Sequence, residues 1–413
     1  MSNEPQIREQ RTCCIVGGGP AGVMAGVLLA RAGVDTLVLE KHADFLRDFR
    51  GDTVHPSTMD VLGELGWLDD FLRLPHQELA RIRARIGDTE VTLADFARTP
   101  TRKKFIALMP QWEFLNFVVD KAKTMPSFSL ARNTAVTGLV EENGKVVGVR
   151  ASTPGGELEV RSDLVIAADG RHSIVRERAG FRVRDIGAPI DVLWIRLSRR
   201  TSDPKEALGW VQRGRFLALI DRGDYWQIAY LIEKGGHDAL LRRGIDAFRR
   251  DLAATAPFLG DRVNELRSFD DVKLLVVKVD RLDRWWRSGL LCIGDAAHAM
   301  SPIGGVGINL AIQDAVATAN LLAAPLLRHE MSDDDLRAVQ RRRQFPTRAT
   351  QAMQVAIQRR VIQRALTNER GLRIGPVMKL LDRVELLKSI PAHLVGVGFR
   401  PEHLKGWDTS PSP

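Results

Sequence analysis

Two glycine-rich stretches hold residues spaced for chemistry. In the first, Gly17-x-Gly19-x-x-Gly22 follows the apolar run "TCCIVGG" and opens the segment "PAGVMAGVLLARAG". Glycines between a strand and a helix make a pyrophosphate cradle. Gly17 permits the tight turn, Gly19 lets phosphate approach main chain, and Gly22 allows close helix–strand packing. Pro20 and Ala21 fall in the first helical turn, whose unpaired N–H groups and partial positive charge attract an anion. Glu40 ends the next strand, with Lys41 beside it. A carboxylate there can accept both hydroxyls of an adenosine ribose, and it repels a 2′-phosphate.

The second stretch is "CIGDAAHAMSPIGGVGINLAIQDA", residues 292 to 315. Asp295 follows an apolar strand and can accept hydrogen bonds from two adjacent alcohols, as on the polyol chain of a flavin. Pro302, Gly305, Val306, Gly307, Ile308 and Asn309 lead into a helix. The N–H groups at that helix start favour the electron-rich edge of a reduced flavin, and the glycines let a planar ring lie on main chain. A single dinucleotide fingerprint occurs in 413 residues, so separate folds for two nucleotides are not expected. The fingerprint by itself leaves FAD and NAD open.

The elements that must position these residues read as an α/β fold. A strand, a helix and the strand "VDTLVLEKH" form a βαβ unit. A helix begins near Ser57, read as its N-cap. "RIRARIGDTEVTLADF" alternates as a hairpin with a Gly-Asp turn, and short strands lead to a buried one ending at Asp169. From about 182 to 233 the pattern is strand-rich, which predicts a second, mostly antiparallel sheet acting as a wall. A helix near 244 to 255 follows, then "VKLLVVKVDRL" and "GLLCIGDAAH" as strands rejoining the first domain. Long helices are expected at 307–324 and 333–367, the latter bent at Pro346. The resulting organisation interleaves a Rossmann-like dinucleotide-binding domain (1–78, 100–181 and 269–330) with a β-sheet domain (79–99 and 182–268). C-terminal helices follow at 331–413.

Composition narrows the class. Hydrophobic content of 44% and charged content of 27% are those of an ordinary globular chain. No run reaches the roughly 18 apolar residues of a membrane span, and "MSNEPQIREQRT" has no signal core, so a cytoplasmic protein with buried, reduced cysteines is expected. No metal-ligand spacing is seen. The net charge of +9 does not indicate nucleic acid, because the densest arginines, in "RAVQRRRQFPTRATQ", read as a solvated helix face without stacking aromatics.

Three motifs in order make the chain similar to single-component, FAD-dependent aromatic hydroxylases of the para-hydroxybenzoate hydroxylase type (group A flavoprotein monooxygenases). They are the first glycine motif with Glu40; "ADGRHSIVR", with Asp169, Gly170, Ser173 and Arg176; and the Gly294–Ala315 stretch. The resemblance covers about residues 10 to 330. It implies bound FAD, with NADH or NADPH as transient reductant. Dioxygen then yields a flavin hydroperoxide that hydroxylates an aromatic or polyketide-like molecule. It further implies that Asp169 serves both FAD and the nicotinamide cofactor, that Asp295 holds the ribityl chain, and that Arg50, Gln111 and Val136 touch the flavin chain or adenine.

The para-hydroxybenzoate hydroxylases deprotonate their phenol with tyrosines, but only Tyr225 and Tyr230 occur here. Arg50, His55, Tyr230 and Pro302 are therefore the catalytic candidates. Trp194, Trp210, Phe216, Trp226 and Tyr230 supply an apolar wall, about half of it facing inward. His298 reads as a packed structural residue, Asp314 as a helix-surface or capping partner, and Trp285-Trp286 as an interdomain packing element. An epoxidase or quinone-precursor hydroxylase of the same fold, or a non-catalytic FAD-sequestering protein, are the alternatives. A halogenase is disfavoured by the lack of a Trp-x-Trp-x-Ile-Pro stretch. A monomer or homodimer is expected, and the tail is expected to serve as a lid, dimer element or membrane-surface contact.

Overall fold

The computed structural model describes residues 7–46, 52–204, 208–212, 214–367 and 383–406. Its first sheet is built on strand Ile7–Val16, which runs parallel to Gly156–Ala167 on one side and Thr36–Leu39 on the other. Leu290–Cys292 and Phe128–Ala131 extend the parallel set outward. The runs at residues 13–16, 164–167 and Leu290–Cys292 are continuously apolar and buried because both faces of the sheet are covered there. Helix Pro20–Arg31 buries ten of its twelve residues, so its sequence is apolar on all sides. It lies against helix Val306–Leu327. The segment Ile303–Leu327 is long and apolar enough to cross a membrane, but 78% of its most apolar window is buried within the protein. A hairpin, Ala135–Glu142 with Lys145–Thr153, adds to the edge of Gly156–Ala167. It turns at Asn143-Gly144, both with positive φ, as a two-residue hairpin turn demands.

The second sheet has seven strands in the order Lys273–Leu275, Ile190–Ser198, Tyr225–Glu233, Arg215–Asp221, Leu208–Gln212, Arg81–Ile86, Thr89–Asp95. The early hairpin joins it through a parallel pairing of Arg81–Ile86 with Leu208–Gln212, which unites two distant pieces of chain. Lys273–Leu275, read from sequence as returning to the first domain, pairs instead with Ile190–Ser198. The chain rejoins the first sheet at Trp286–Arg287, which pairs with Leu290–Cys292. One face of the second sheet is buried under Ile245–Thr255 and the 3-10 turns of Pro257–Glu265. The other turns toward Ile303, Ile357 and Ile362.

Two helix readings need correction. Ser57 lies inside helix Pro56–Glu64, with His55 at the N-cap position. Helix Asp333–Ile357, started by a capping box of Ser332 and Asp335, continues through Pro346. Its geometry changes only at the π-helical turn Gln358–Ile362, before the short helix Gln363–Thr367. The last described helix, Glu385–Gly396, packs on Thr89–Asp95.

Candidate active site

The first glycine motif forms a main-chain cradle. Gly17 has φ +107°, and a Cβ on it would stand 2.5 Å from the Ala168 carbonyl oxygen. A Cβ on Gly22 would stand 1.9 Å from the Gly17 carbonyl oxygen. Gly19 is the opposite case, with no atom within 4 Å of its Cβ position. The first two glycines are needed for packing, and the third faces open space at a helix start that no side chain caps. A pyrophosphate fits there. Glu40, 6% exposed, accepts from the Gly18 N–H and the His42 N–H, both at 2.9 Å. Its carboxylate is thereby fixed at the end of Thr36–Leu39, while Lys41 is exposed.

The second motif abuts the first: a Cβ on Gly294, φ +57°, would stand 2.9 Å from the Ala21 side chain. Asp295 is half-exposed, its Oδ2 3.5 Å from Arg171 Nη2. Asp169 follows Gly156–Ala167, and its Oδ2 accepts from the Val175 N–H at 3.2 Å. The other oxygen, Oδ1, is buried without a hydrogen-bond partner among the described residues. Burial pushes this carboxyl above the ordinary value, against the pull of Ser173 and the Val175 N–H. An orphaned acceptor beside an open cradle is what a cofactor hydroxyl would satisfy. Ser173, not Asp169, is the N-cap of Ile174–Arg178. Gly170 has φ +84° and open space at its Cβ position. Gln111 starts helix Gln111–Ala122, and Val136 is a half-buried residue of Ala135–Glu142.

Pro302 precedes the turn Ile303–Gly305, with Gly304 at φ 77° and Gly305 at φ 65°. Val306–Leu327 then begins with no side-chain cap, leaving the first N–H groups at Val306, Gly307 and Ile308 for a ligand. Asn309 turns its side chain inward, and its Oδ1 accepts from Ser57 at 2.8 Å and Thr58 at 2.9 Å. A cofactor role for Asn309 therefore rests on its main chain.

His55 is fully buried, its Nδ1 2.8 Å from the Val395 carbonyl and its Nε2 3.1 Å from the Gly305 carbonyl and 3.2 Å from Thr53 Oγ1. Burial pushes the imidazole down to about 4, against the raising influence of both carbonyls. This neutral, enclosed ring joins the glycine turn to the C-terminal helix. As a base toward substrate, the role expected from sequence, it has no accessible nitrogen.

The second sheet resolves which aromatics face the site. Trp194 and Phe216 belong to the face toward Ile303, whereas Trp210, Trp226 and Tyr230 lie beneath the helices. Tyr230 packs edge-on against Phe248, ring centroids 5.1 Å apart, and burial raises its hydroxyl pKa. Strand alternation thus removes Tyr230 from the catalytic candidates. Arg50 lies outside the described residues.

Residues missed in the sequence occupy the same face. Gln227 donates from Nε2 to Asp52 Oδ2 at 2.7 Å, Arg222 Nη2 stands 2.6 Å from the same oxygen, and Arg222 Nε donates to Gln227 Oε1 at 3.0 Å. All three are buried or nearly so, and burial raises the Asp52 carboxyl despite Arg222. No spacing could reveal them, because Asp52 is some 170 positions from its partners.

A second missed network lies behind the glycine turn. Asp314, expected as a helix-surface or capping partner, is fully buried. Its Oδ2 lies 2.6 Å from His298 Nε2 and accepts from the Gly294 N–H at 3.1 Å, while Oδ1 accepts from Arg343 Nε at 2.9 Å. Burial alone would raise this carboxyl, but His298 and Arg343 hold it below the ordinary value. Arg343, 1% exposed, comes from the arginine run read as a solvated face. Trp285 lies tilted against His298, ring centroids 4.9 Å apart, within the first core, so it is not an interdomain contact.

The family model described as FAD binding domain matches residues 10–353. The chain is 36% identical over 346 residues to 6-methylpretetramide 4-monooxygenase of Streptomyces rimosus, covering 83% of this chain and 82% of that protein. It is 24% identical over 322 residues to para-nitrophenol 4-monooxygenase of Pseudomonas sp. (strain WBC-3), covering 75% and 77%. Among solved structures, P. aeruginosa PqsL in complex with 2-aminobenzoylacetate aligns with a TM-score of 0.74 at 21% identity, over 87% of this chain and 98% of that one.

Proposed function

This chain belongs to the FAD binding domain family and is an FAD-dependent monooxygenase; we propose that it hydroxylates a planar, fused-ring phenol of polyketide type, with NAD(P)H as reductant. The observation that carries the substrate class is the site-facing row of the second sheet. Trp194 pairs across strands with Ala229, Ala229 with Ala218, and Ala218 with Gly209. The small, partly exposed Ala218 and Gly209 leave a shallow floor bordered by Phe216, beside the buried Ala229 and Leu231. A flat, extended ring system suits such a floor better than a compact single ring does. The relative of Streptomyces rimosus, named for 6-methylpretetramide, a polyketide, supports a substrate of polyketide type.

Bound in the cleft, the flavin supplies reduction of dioxygen and delivery of one oxygen atom. The residues of the chain do the rest. The Gly17–Gly22 turn holds the pyrophosphate and Glu40 the adenosine ribose. Asp295 holds the ribityl chain, and Asp169 Oδ1 receives a cofactor hydroxyl. Gln111 and Val136 flank the flavin chain. The main-chain N–H groups at Val306, Gly307 and Ile308, with Asn309 following, would hold the electron-rich edge of the flavin, and Pro302 in the turn before them would help to position it. Arg222, held by Asp52 and Gln227, gives the apolar wall one cationic end that can orient a phenolate. Helix Glu385–Gly396, tied to His55 and Ser57 through the Val395 and Gly396 carbonyls, keeps water from that end.

The test is a substrate series with the purified, FAD-loaded protein. Naphthacene- and anthracene-type phenols should speed NAD(P)H oxidation and gain one oxygen atom by mass spectrometry, while para-nitrophenol should not. Turnover confined to single-ring phenols would reject the substrate class. A product bearing an epoxide would favour the epoxidase reading.

A further inference from the structure

The long C-terminal helix carries three buried glutamines on one side, Gln351, Gln354 and Gln358, at 1%, 1% and 0% exposure. Buried amides need partners, and these find theirs in one stretch of main chain. Gln351 Nε2 donates to the Asp280 carbonyl at 2.8 Å and the Ala299 carbonyl at 3.1 Å. Gln354 Nε2 donates to the Ser301 and Ile303 carbonyls, both at 2.9 Å, and its Oε1 accepts from the Ser301 N–H at 3.2 Å. Gln358 Nε2 donates to Ser301 Oγ. The carbonyls of 299, 301 and 303 are therefore taken in alternation, as a neighbouring β-strand would take them. The bonded stretch runs directly into Gly304 and Gly305, the positive-φ turn that opens Val306–Leu327.

The same helix faces the substrate wall. Ile357 and Ile362 pack with Val192, Ala229 and Leu231 of the second sheet. The π-helical turn Gln358–Ile362 inserts one extra residue per turn, which lets Gln358 reach Ser301 while Ile362 reaches the sheet. One rigid element thus grips the flavin-side loop with amides and the substrate wall with apolar side chains.

We propose that Gln354, supported by Gln351 and Gln358, is a positioning residue that sets the glycine turn against the flavin ring and fixes its distance from the substrate wall. The assignment rests on the reading that FAD occupies this cleft. It requires a neutral amide. A glutamate at 354 keeps the size of the side chain but loses both donors, and it turns a negative oxygen toward two carbonyls.

The experiment compares wild type, Gln354→Glu, Gln354→Leu and Gln351→Leu, using FAD alone as probe. Wild type is first reconstituted with FAD; failure to bind would reject the FAD reading itself. Given a yellow wild type, FAD titration and visible circular dichroism are recorded for each variant whose far-ultraviolet spectrum matches wild type. Gln354→Glu should weaken FAD about tenfold and change the visible dichroism of the bound ring. Gln351→Leu, which leaves the Ser301 and Ile303 carbonyls held, should change the affinity less than about threefold. Should Gln354→Glu not fold, Gln354→Leu carries the same expectation. Should neither fold, Gln358→Leu is read instead, with a changed flavin dichroism expected at retained fold. Unchanged affinity and dichroism in the folded variant that is read would overturn the assignment.

Discussion

The proposed cofactor cleft and the proposed substrate wall share the turn at Gly304-Gly305, yet they are made of different material. The cleft is main chain: Gly17, Gly22 and Gly294 are packed so tightly that a methyl group would collide, and two uncapped helix starts face the open space. The wall is side chain: Trp194, Phe216, Ala218, Ala229 and the Asp52–Arg222–Gln227 group, set by strand alternation and distant pairing. Main-chain recognition demands glycine at fixed places and tolerates change elsewhere. Side-chain recognition can be rewritten at partly exposed positions such as Ala218 without disturbing the fold, whereas the buried Asp52–Arg222 pair has to change together. The contrast matches a family that keeps one cofactor and varies its substrates.

The sharpest way to break this comparison is to add one methyl group at two glycines of the same turn. Gly22→Ala should destabilise the protein by more than about 4 kcal/mol, since its Cβ would meet the Gly17 carbonyl at 1.9 Å. Gly19→Ala has open space, so its unfolding free energy from urea denaturation without FAD should stay within about 0.5 kcal/mol of wild type. Its FAD affinity should nevertheless fall at least about tenfold, because the methyl group takes the pyrophosphate's place. Equal loss of stability in both variants would show that Gly19 belongs to packing rather than to the ligand.

On the wall, Asp52→Ala leaves Arg222 buried beside Gln227 without its carboxylate. Removing one partner of a buried ion pair costs about 3 kcal/mol or more. Asp52→Leu combined with Arg222→Met should be milder, since no charge is left stranded. Denaturant midpoints of the two proteins decide it, and a double variant worse than the single one would contradict the pairing.

At the junction of the two regions, His55 predicts a pH dependence. Its folded-state value of about 4 lies below the ordinary 6.5, so the unfolded chain binds the proton first as pH falls. Stability should therefore drop between about pH 6.5 and pH 4, by about 3 kcal/mol from this group alone. His55→Gln should remove that part of the slope. Denaturation free energies at intervals across this range would show it, and identical slopes would mean the imidazole is solvated.

The two regions also differ in how much the sequence disclosed. The cradle, Glu40, Asp169, Asp295 and the turn into Val306–Leu327 lie where their local patterns put them, because main-chain recognition is written in contiguous residues. The second sheet was legible as a sheet, including the hairpin turning at Gly87-Asp88. Its register was not, because aromatics on both faces, Trp226 and Tyr230 against Trp194 and Phe216, blur the alternation. Asp52 with Arg222 and Gln227, and Asp314 with Arg343, meet only through the tertiary fold. Arg343 shows the difficulty well. In a run of arginines, nothing local marks the one whose guanidinium is enclosed by two carboxylates, Asp314 and Glu402.

The smallest expected effect tests the register directly. Tyr230 looks in the sequence like the only well-placed phenol for activating a substrate, and it lies on a strand of the wall. In the folded chain its neighbours are Phe248 and the Arg215–Asp251 pair on the helix-covered side. Tyr230→Phe should then cost about 1 kcal/mol of stability through one lost hydrogen bond. Turnover should stay within about twofold of wild type, an effect of at most about 0.4 kcal/mol on the barrier. Ala218→Leu, one strand away but on the opposite face, should leave stability nearly intact and suppress turnover of fused-ring phenols. A large rate loss in Tyr230→Phe with intact stability would mean that the sheet presents its other face to the substrate. The division between cofactor cleft and substrate wall would then have to be redrawn from Tyr230 outward.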